Sequence, residues 1–226
     1  MAMEHISENF EEIKNSIPGH VTLVAVSKTK PNDHIMEVYN CGHKIFGESK
    51  AQELVPKYEE LPKDIKWHMI GHLQSNKVKY IAPFVDYIHS VDSFKILKTI
   101  NKEAKKNERV IDVLLQMHIA EEETKFGLSW EEAEEILQSD AFKAMQNIRI
   151  TGLMCMATFT EDEKQIRKEF RLLHNYFDRI KEKYFDGKDF FRERSMGMSN
   201  DYQIAIEEGS TMIRVGSNIF GKRQYT

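Results

Sequence analysis

Short apolar runs alternate with helix-period stripes along the whole chain. Runs at 23–27, 44–46, 66–69, 87–90, 112–118, 149–156, 194–196 and 212–215 are predicted as strands. The clearest helix starts near Glu161, where Ile166, Phe170, Leu173, Phe177, Ile180 and Tyr184 step by three and four residues. Thr160 with Glu163 reads as its capping box, and Ser129 with Glu132 as that of a helix through Trp130, Ala133, Ile136 and Leu137. Phe94, Leu97 and Ala104 mark a further helix, and Gly209 is placed to end one that opens at Asn200. An amphipathic N-terminal segment, MAMEHISENFEEIK, is expected to form a helix ahead of strand one.

Eight strands alternating with helices predict an α/β fold with a parallel sheet. The count of eight favours a single (β/α)₈ TIM barrel, spanning residues 1–226 as one domain, over an open doubly wound sheet. Neither GxGxxG nor GxxxxGK[ST] follows the first strand, which weakens a nucleotide-binding alternative.

Composition narrows the class. Of 226 residues, 41 % are hydrophobic and 30 % charged, as in ordinary globular chains. The net charge of −4 and the lack of an aromatic-studded basic stripe argue against nucleic acid as a partner. Cys41 and Cys155 form no CxxC pair, so neither a disulfide framework nor a cysteine zinc site is expected. With no signal peptide and no run of about 18 apolar residues, the expected location is cytoplasmic, without membrane contact.

Three features carry candidate chemistry. In VTLVAVSKTKP (21–31) an apolar strand ends on Lys28, at the end of the barrel where reactive groups sit. Desolvation lowers a lysine's pKa and makes it an amine nucleophile toward aldehydes; the alternative is a strand-exit lysine reaching out to water. SMGMSND (195–201) and RVGSNIFG (214–221) then fall in the loops after strands seven and eight, the usual phosphate pocket of this fold. There Ser199 is expected to cap the helix from Asn200, Gly216 to allow close backbone approach to an anion, and Ser217 to add a hydroxyl. Ordinary capped turns would use the same residues. Arg214 shares one face of the last strand with Met212; if that face is the barrel interior, the guanidinium needs a buried partner. An amine, an anion cup and a cation beside it suit a small molecule with an aldehyde at one end and a phosphate at the other, which makes pyridoxal 5′-phosphate the candidate cofactor.

The same residues lie in longer motifs: AVSKTKP (25–31), FGESKAQEL (46–54), WHMIGHLQSNK (67–77), TKFG (124–127), GLMCMA (152–157), SMGMSND (195–201) and GSTMIRVGSNIFGKRQY (209–225). In this order they resemble the pyridoxal phosphate homeostasis protein family, also known as the proline synthetase co-transcribed family. They are also similar to the N-terminal barrel of alanine racemase. The resemblance implies the cofactor as a Schiff base on Lys28, with Ser199, Gly216 and Ser217 on the phosphate and Arg214 facing the pyridine nitrogen. It also implies Met154 and Met198 in the pocket wall. Where the family commonly has Asn, this chain has Ser49 and His118, and no contact is carried over to either.

The resemblance further implies a protein that buffers or delivers the cofactor, to apo-enzymes that depend on it, without robust catalysis of its own and with no catalytic residue assigned. A monomer, at most a weak dimer, is expected. An arginine at the pyridine nitrogen disfavours its protonation and weakens the ring as an electron sink. The barrel is expected to use up the chain, leaving no second domain to supply a second base. Two alternatives are a weak racemase with a base at the rim (His68, His72 or His118) and a lysine aldolase that needs no cofactor. The His68/His72 spacing reads as structural histidines, and no metal is expected.

Overall fold

The computed structural model describes residues 5–121 and 126–221. Eight parallel strands close into a barrel: β1 Thr22–Val26, β2 Ile45–Glu48, β3 Lys66–Met69, β4 Tyr87–Val91, β5 Ile111–Gln116, β6 Ile148–Met154, β7 Glu193–Met198 and β8 Met212–Val215. All eight overlap the predicted runs. Closure is direct, since β8 pairs with β1 in the register Val24↔Arg214 and Ala25↔Val215.

The helices are α1 Ile6–Ser16, α2 Asn32–Asn40, α3 Ala51–Glu60, α4 Val78–Ile81, α5 Phe94–Lys106, α6 Trp130–Gln138, α7 Asp140–Lys143, α8 Glu163–Tyr184, α9 Tyr202–Glu207 and α10 Ser217–Phe220. Helix α1 precedes the barrel and buries Ile6, Phe10 and Ile13. The Ser129/Glu132 capping box forms as expected. The Thr160/Glu163 box does not. Asp162 caps α8, accepting from the N–H groups of Lys164 and Gln165, while the Thr160 hydroxyl accepts from Asp162 N–H. The acidic side chain one residue before the helix reaches two of its open N–H groups, and so displaces the more distant threonine.

Two apolar layers follow from strand alternation. On β1, Leu23 and Ala25 face outward into the main core between sheet and helices. Val24 and Val26 face inward, where Ile70 and Met212 join them. The stripe on α8 (Ile166, Phe170, Leu173, Phe177, Ile180) closes part of the outer layer. Continuing the alternation past Val26 sends Ser27 outward and Lys28 inward, above the inner layer at the C-terminal mouth of the barrel.

Candidate functional site

That mouth holds a cavity of about 550 Å³. Six of the seven expected site residues line it: Lys28, Met198, Ser199, Arg214, Gly216 and Ser217. Met154 does not. It is fully buried and paired in register with Ser195, one layer below, and Met156, two residues on, reaches the wall instead. Strand parity fits both methionines, and only the height of the cavity floor separates them. Ser49 also lines the cavity, whereas His118 is not among the lining residues.

Lys28 leaves a firmly held strand end. Ser27 N–H donates to Gly47 C=O at 3.0 Å, and Lys30 N–H closes a turn onto Ser27 C=O at 3.0 Å. Between them Thr29 has φ +65°, a left-handed conformation that costs a β-branched residue energy. Glu53 holds it there by accepting from Thr29 N–H at 2.8 Å. Behind this turn lies a buried pair that sequence reading missed. Lys57 Nζ donates to Glu48 Oε1 at 2.7 Å and to Ser27 C=O at 2.9 Å, and Ser27 Oγ donates to the same carboxylate oxygen at 2.6 Å. Burial pushes the Glu48 carboxyl above its ordinary value, with Lys57 and Ser27 pulling it partly back.

On the β7 and β8 side the two loops are tied together. Ser199 was expected to cap a helix; that helix instead begins at Tyr202, and Asp201 accepts from Met198 N–H at 2.5 Å. The Ser199 hydroxyl accepts from Gly216 N–H at 3.2 Å, and its carbonyl accepts from Asn218 Nδ2 at 2.9 Å. A Cβ on Gly216 would stand 3.0 Å from Val26 C=O and 3.1 Å from Val26 Cβ, tight enough that β1 would have to give by a few tenths of an ångström. Ser199, Gly216 and Ser217 therefore converge on one patch of wall, with Lys28 on the adjacent strand end.

Arg214 faces the interior and is 4 % exposed. Its Nη1 donates to Ser195 Oγ at 2.6 Å and its Nη2 to Cys155 C=O at 2.8 Å. From Ser195 a buried column runs down the barrel, 2.9 Å to His89 Nδ1 and then 2.9 Å from His89 Nε2 to His68 Nδ1. Burial holds both imidazoles neutral, pushing His68 down to about 3 and His89 well below its ordinary value. One polarity uses each donor once: Arg214 to Ser195, Ser195 to His89, His89 to His68. The guanidinium keeps its remaining N–H donors for the cavity.

The other wall carries Gln116, whose Nε2 donates to Phe126 C=O at 2.9 Å, and His72. His72 Nδ1 lies 2.8 Å from Asp92 Oδ2, and the Phe126 ring stacks on the imidazole at 4.1 Å. His68 and His72 thus turn to different partners. Among the described residues no cluster of three histidine, cysteine or acidic side chains is placed to hold a metal. Thr124 and Lys125 of the TKFG motif, and residues 222–225 of the last motif, lie outside the described residues.

The family model described as alanine racemase, N-terminal domain, matches residues 1–224. Curated proteins named pyridoxal phosphate homeostasis protein match nearly end to end. The one from Aquifex aeolicus is 40 % identical over 90 % of this chain and 87 % of its own. That from Escherichia coli K12 is 32 % identical over 99 % of each. The chain belongs to the pyridoxal phosphate homeostasis protein family. Among solved structures, PipY of Synechococcus elongatus PCC7942 with PLP bound superposes at a TM-score of 0.88, with 31 % identity over 96 % of this chain and 100 % of that one. Alanine racemase of Clostridium difficile 630 shares the fold at a TM-score of 0.78 and 14 % identity, and this chain covers 58 % of it. Among the described residues no helix is long and apolar enough to cross a membrane.

Proposed function

We propose that the chain binds pyridoxal 5′-phosphate in the barrel-mouth cavity and serves to buffer the cofactor and hand it to enzymes that need it, without robust catalysis of its own. The observation that carries this reading is the meeting, in one 550 Å³ cavity, of a lysine, a two-loop hydroxyl and N–H cup, and a buried guanidinium. The residues fit the group. When bound, the cofactor supplies an aldehyde that condenses with primary amines. Lys28 offers the amine from a pinned strand end. Ser199 and Ser217 offer hydroxyl and backbone donors to the phosphate at a loop that Gly216 keeps close to β1, and Arg214 offers N–H donors to the ring edge. Met198 and Met156 offer apolar wall, in place of the Met154 expected from family resemblance.

Two features favour a carrier over an enzyme. The Arg214 cation disfavours a second positive charge on a ring nitrogen beside it, so the ring is a weak acceptor of carbanion electrons. The cavity mouth is also open, with Phe159 at its rim 85 % exposed. Borohydride reduction of the loaded protein followed by peptide mass spectrometry is expected to place one phosphopyridoxyl group on Lys28. An adduct found only on other lysines overturns the assignment. Incubation with single L-amino acids and chiral analysis tests the carrier reading, and turnover above that of free cofactor refutes it.

A further inference from the structure

We propose that His72, oriented by Asp92, is the proton-transfer group of this cavity when Lys28 gives up its cofactor to an incoming primary amine. The inference rests on the cofactor reading above and goes beyond it, by naming how the cargo leaves and to what chemistry.

Handover to an amine has a fixed proton balance. The incoming nitrogen arrives as R–NH₃⁺ and must lose a proton before its lone pair can attack. Its bond to the cofactor carbon forms, and the bond from that carbon to Lys28 Nζ breaks. A proton crosses from the incoming nitrogen to Lys28 Nζ before that bond breaks, and Lys28 then departs as a neutral amine that takes up a second proton. No oxidant or reductant is needed, and from a protonated imine the net change is two protons passed from the incoming nitrogen to Lys28. A group able to accept and return a proton, lining the same cavity as Lys28, is what the step requires.

His72 has that geometry. The loop after β3 brings it into the lining of the cavity that Lys28 also lines, on the side of Gln116 and Phe126. Its Nδ1 donates to Asp92 Oδ2 at 2.8 Å, which leaves Nε2 as the basic ring nitrogen. The Phe126 ring, 16° from parallel at 4.1 Å, fixes the imidazole plane from one face. The Asp92 side chain is 9 % exposed and that of His72 42 %, so the orienting carboxylate is sheltered while the imidazole remains open to solvent protons. The other titratable groups lining the cavity, Lys28 apart, are already engaged in holding the fold: Asp201 accepts from Met198 N–H, Lys30 Nζ donates to Phe220 C=O, and Arg214 is anchored twice.

The test uses the loaded full chain in stopped flow, mixed with excess Nα-acetyl-lysine amide (a protein lysine) or L-alanine (a free amino acid). Loss of the bound chromophore is followed over time. His72→Ala is expected to slow release to both amines by about 10²-fold or more, the range for a positioned acid–base group. Asp92→Asn is expected to slow it less, and added imidazole to restore much of the rate of H72A. Slowing with only one amine would assign the recipient class. A wild-type rate in H72A, or a slow rate that imidazole leaves unchanged, overturns the proposal. A second readout needs no cofactor: long-range ¹H–¹⁵N spectra of the unloaded wild-type protein are expected to show His72 protonated on Nδ1, and an Nε2–H tautomer overturns it even if H72A fails to fold. Failure of the wild-type protein to form a chromophore at all would instead sink the cofactor reading.

Discussion

Lys57→Met removes the cation behind Lys28 while keeping most of the side chain's apolar stem. In the wild type Lys57 Nζ serves both Glu48 and the Ser27 carbonyl, and the Glu48 side chain is fully buried, with no partner for Oε2 among the described residues. Stripping one member from a buried pair leaves an uncompensated charge and costs about 3–5 kcal/mol while that charge persists. Glu48 can escape by taking a proton. Its folded carboxyl already titrates above the unfolded value because burial outweighs Lys57 and Ser27. Over that interval the native state binds more protons than the unfolded chain, so stability falls as pH rises through it. Removing Lys57 extends the interval upward. In acid, once Glu48 is protonated with or without Lys57, the variant loses only two hydrogen bonds, ~1–2 kcal/mol. In base, where the wild-type pair is ionised, the cost approaches the full ~3–5 kcal/mol. With a urea m-value of about 2–3 kcal/mol/M, the midpoint is expected to drop by less than ~1 M in acid and by roughly 1–2 M in base. Adding Glu48→Gln to the variant is expected to recover part of the basic-side loss. A midpoint shift of equal size at both ends of the range, or a larger one in acid, refutes the buried-charge argument.

Ser195→Ala leaves Arg214 Nη1 and His89 Nδ1 without their shared hydroxyl; a loss of about 1–3 kcal/mol in denaturant unfolding is expected, together with weaker cofactor binding in a spectral titration. Unchanged stability and binding would show that the column does not hold Arg214. His68 and His89 are expected to stay neutral in the native protein, with flat Cε1–H shifts from about pH 5 to 8. Because their folded pKa values lie below the unfolded one, the stability they contribute is complete above about 6.5 and is lost as pH falls toward 3; a titration of either near 6.5 contradicts the burial. Gly197→Ala would set a Cβ 2.6 Å from Ala205 Cβ at a residue with φ +97°, and thermal unfolding should register a cost of about 1–3 kcal/mol. A neutral G197A would mean that α9 can shift freely on β7.

The barrel was legible because every strand has to bury its outward face under a helix. That requirement writes apolar runs and helical stripes into the chain at a regular spacing, as Leu23, Ala25 and the α8 stripe show. Cap positions were less legible, because neighbouring polar side chains compete for the same N–H groups. Thr160 and Asp162 both suit the start of α8, and only the chain path decides for Asp162. Ser199 is a similar case: a serine before a helix reads as a cap, yet its hydroxyl binds Gly216 from the other loop.

The polar interior was the least legible part, and it is the part that shapes the site. Lys28 and Arg214 stood out as charges at the ends of apolar strands. His89 and Ser195 did not, because a neutral histidine and a serine inside a strand leave no periodic trace. Their role depends on neighbours from different strands meeting at one height in the barrel, a property of closure and register. The same holds for Glu48 and Lys57, nine residues apart on β2 and α3, which face each other only when the helix folds back on its strand. A pairing of this kind has a sequence signal after all: an acidic residue at the buried end of a strand, followed by a lysine two helical turns into the next helix. Glu48 ends a strand whose last three residues are all buried, and such a carboxylate demands a cation within reach. Lys57, in the last turn of the following helix, is the basic residue of α3. Pairing the two ahead of any coordinates would have located the brace that holds Lys28 at the cavity mouth.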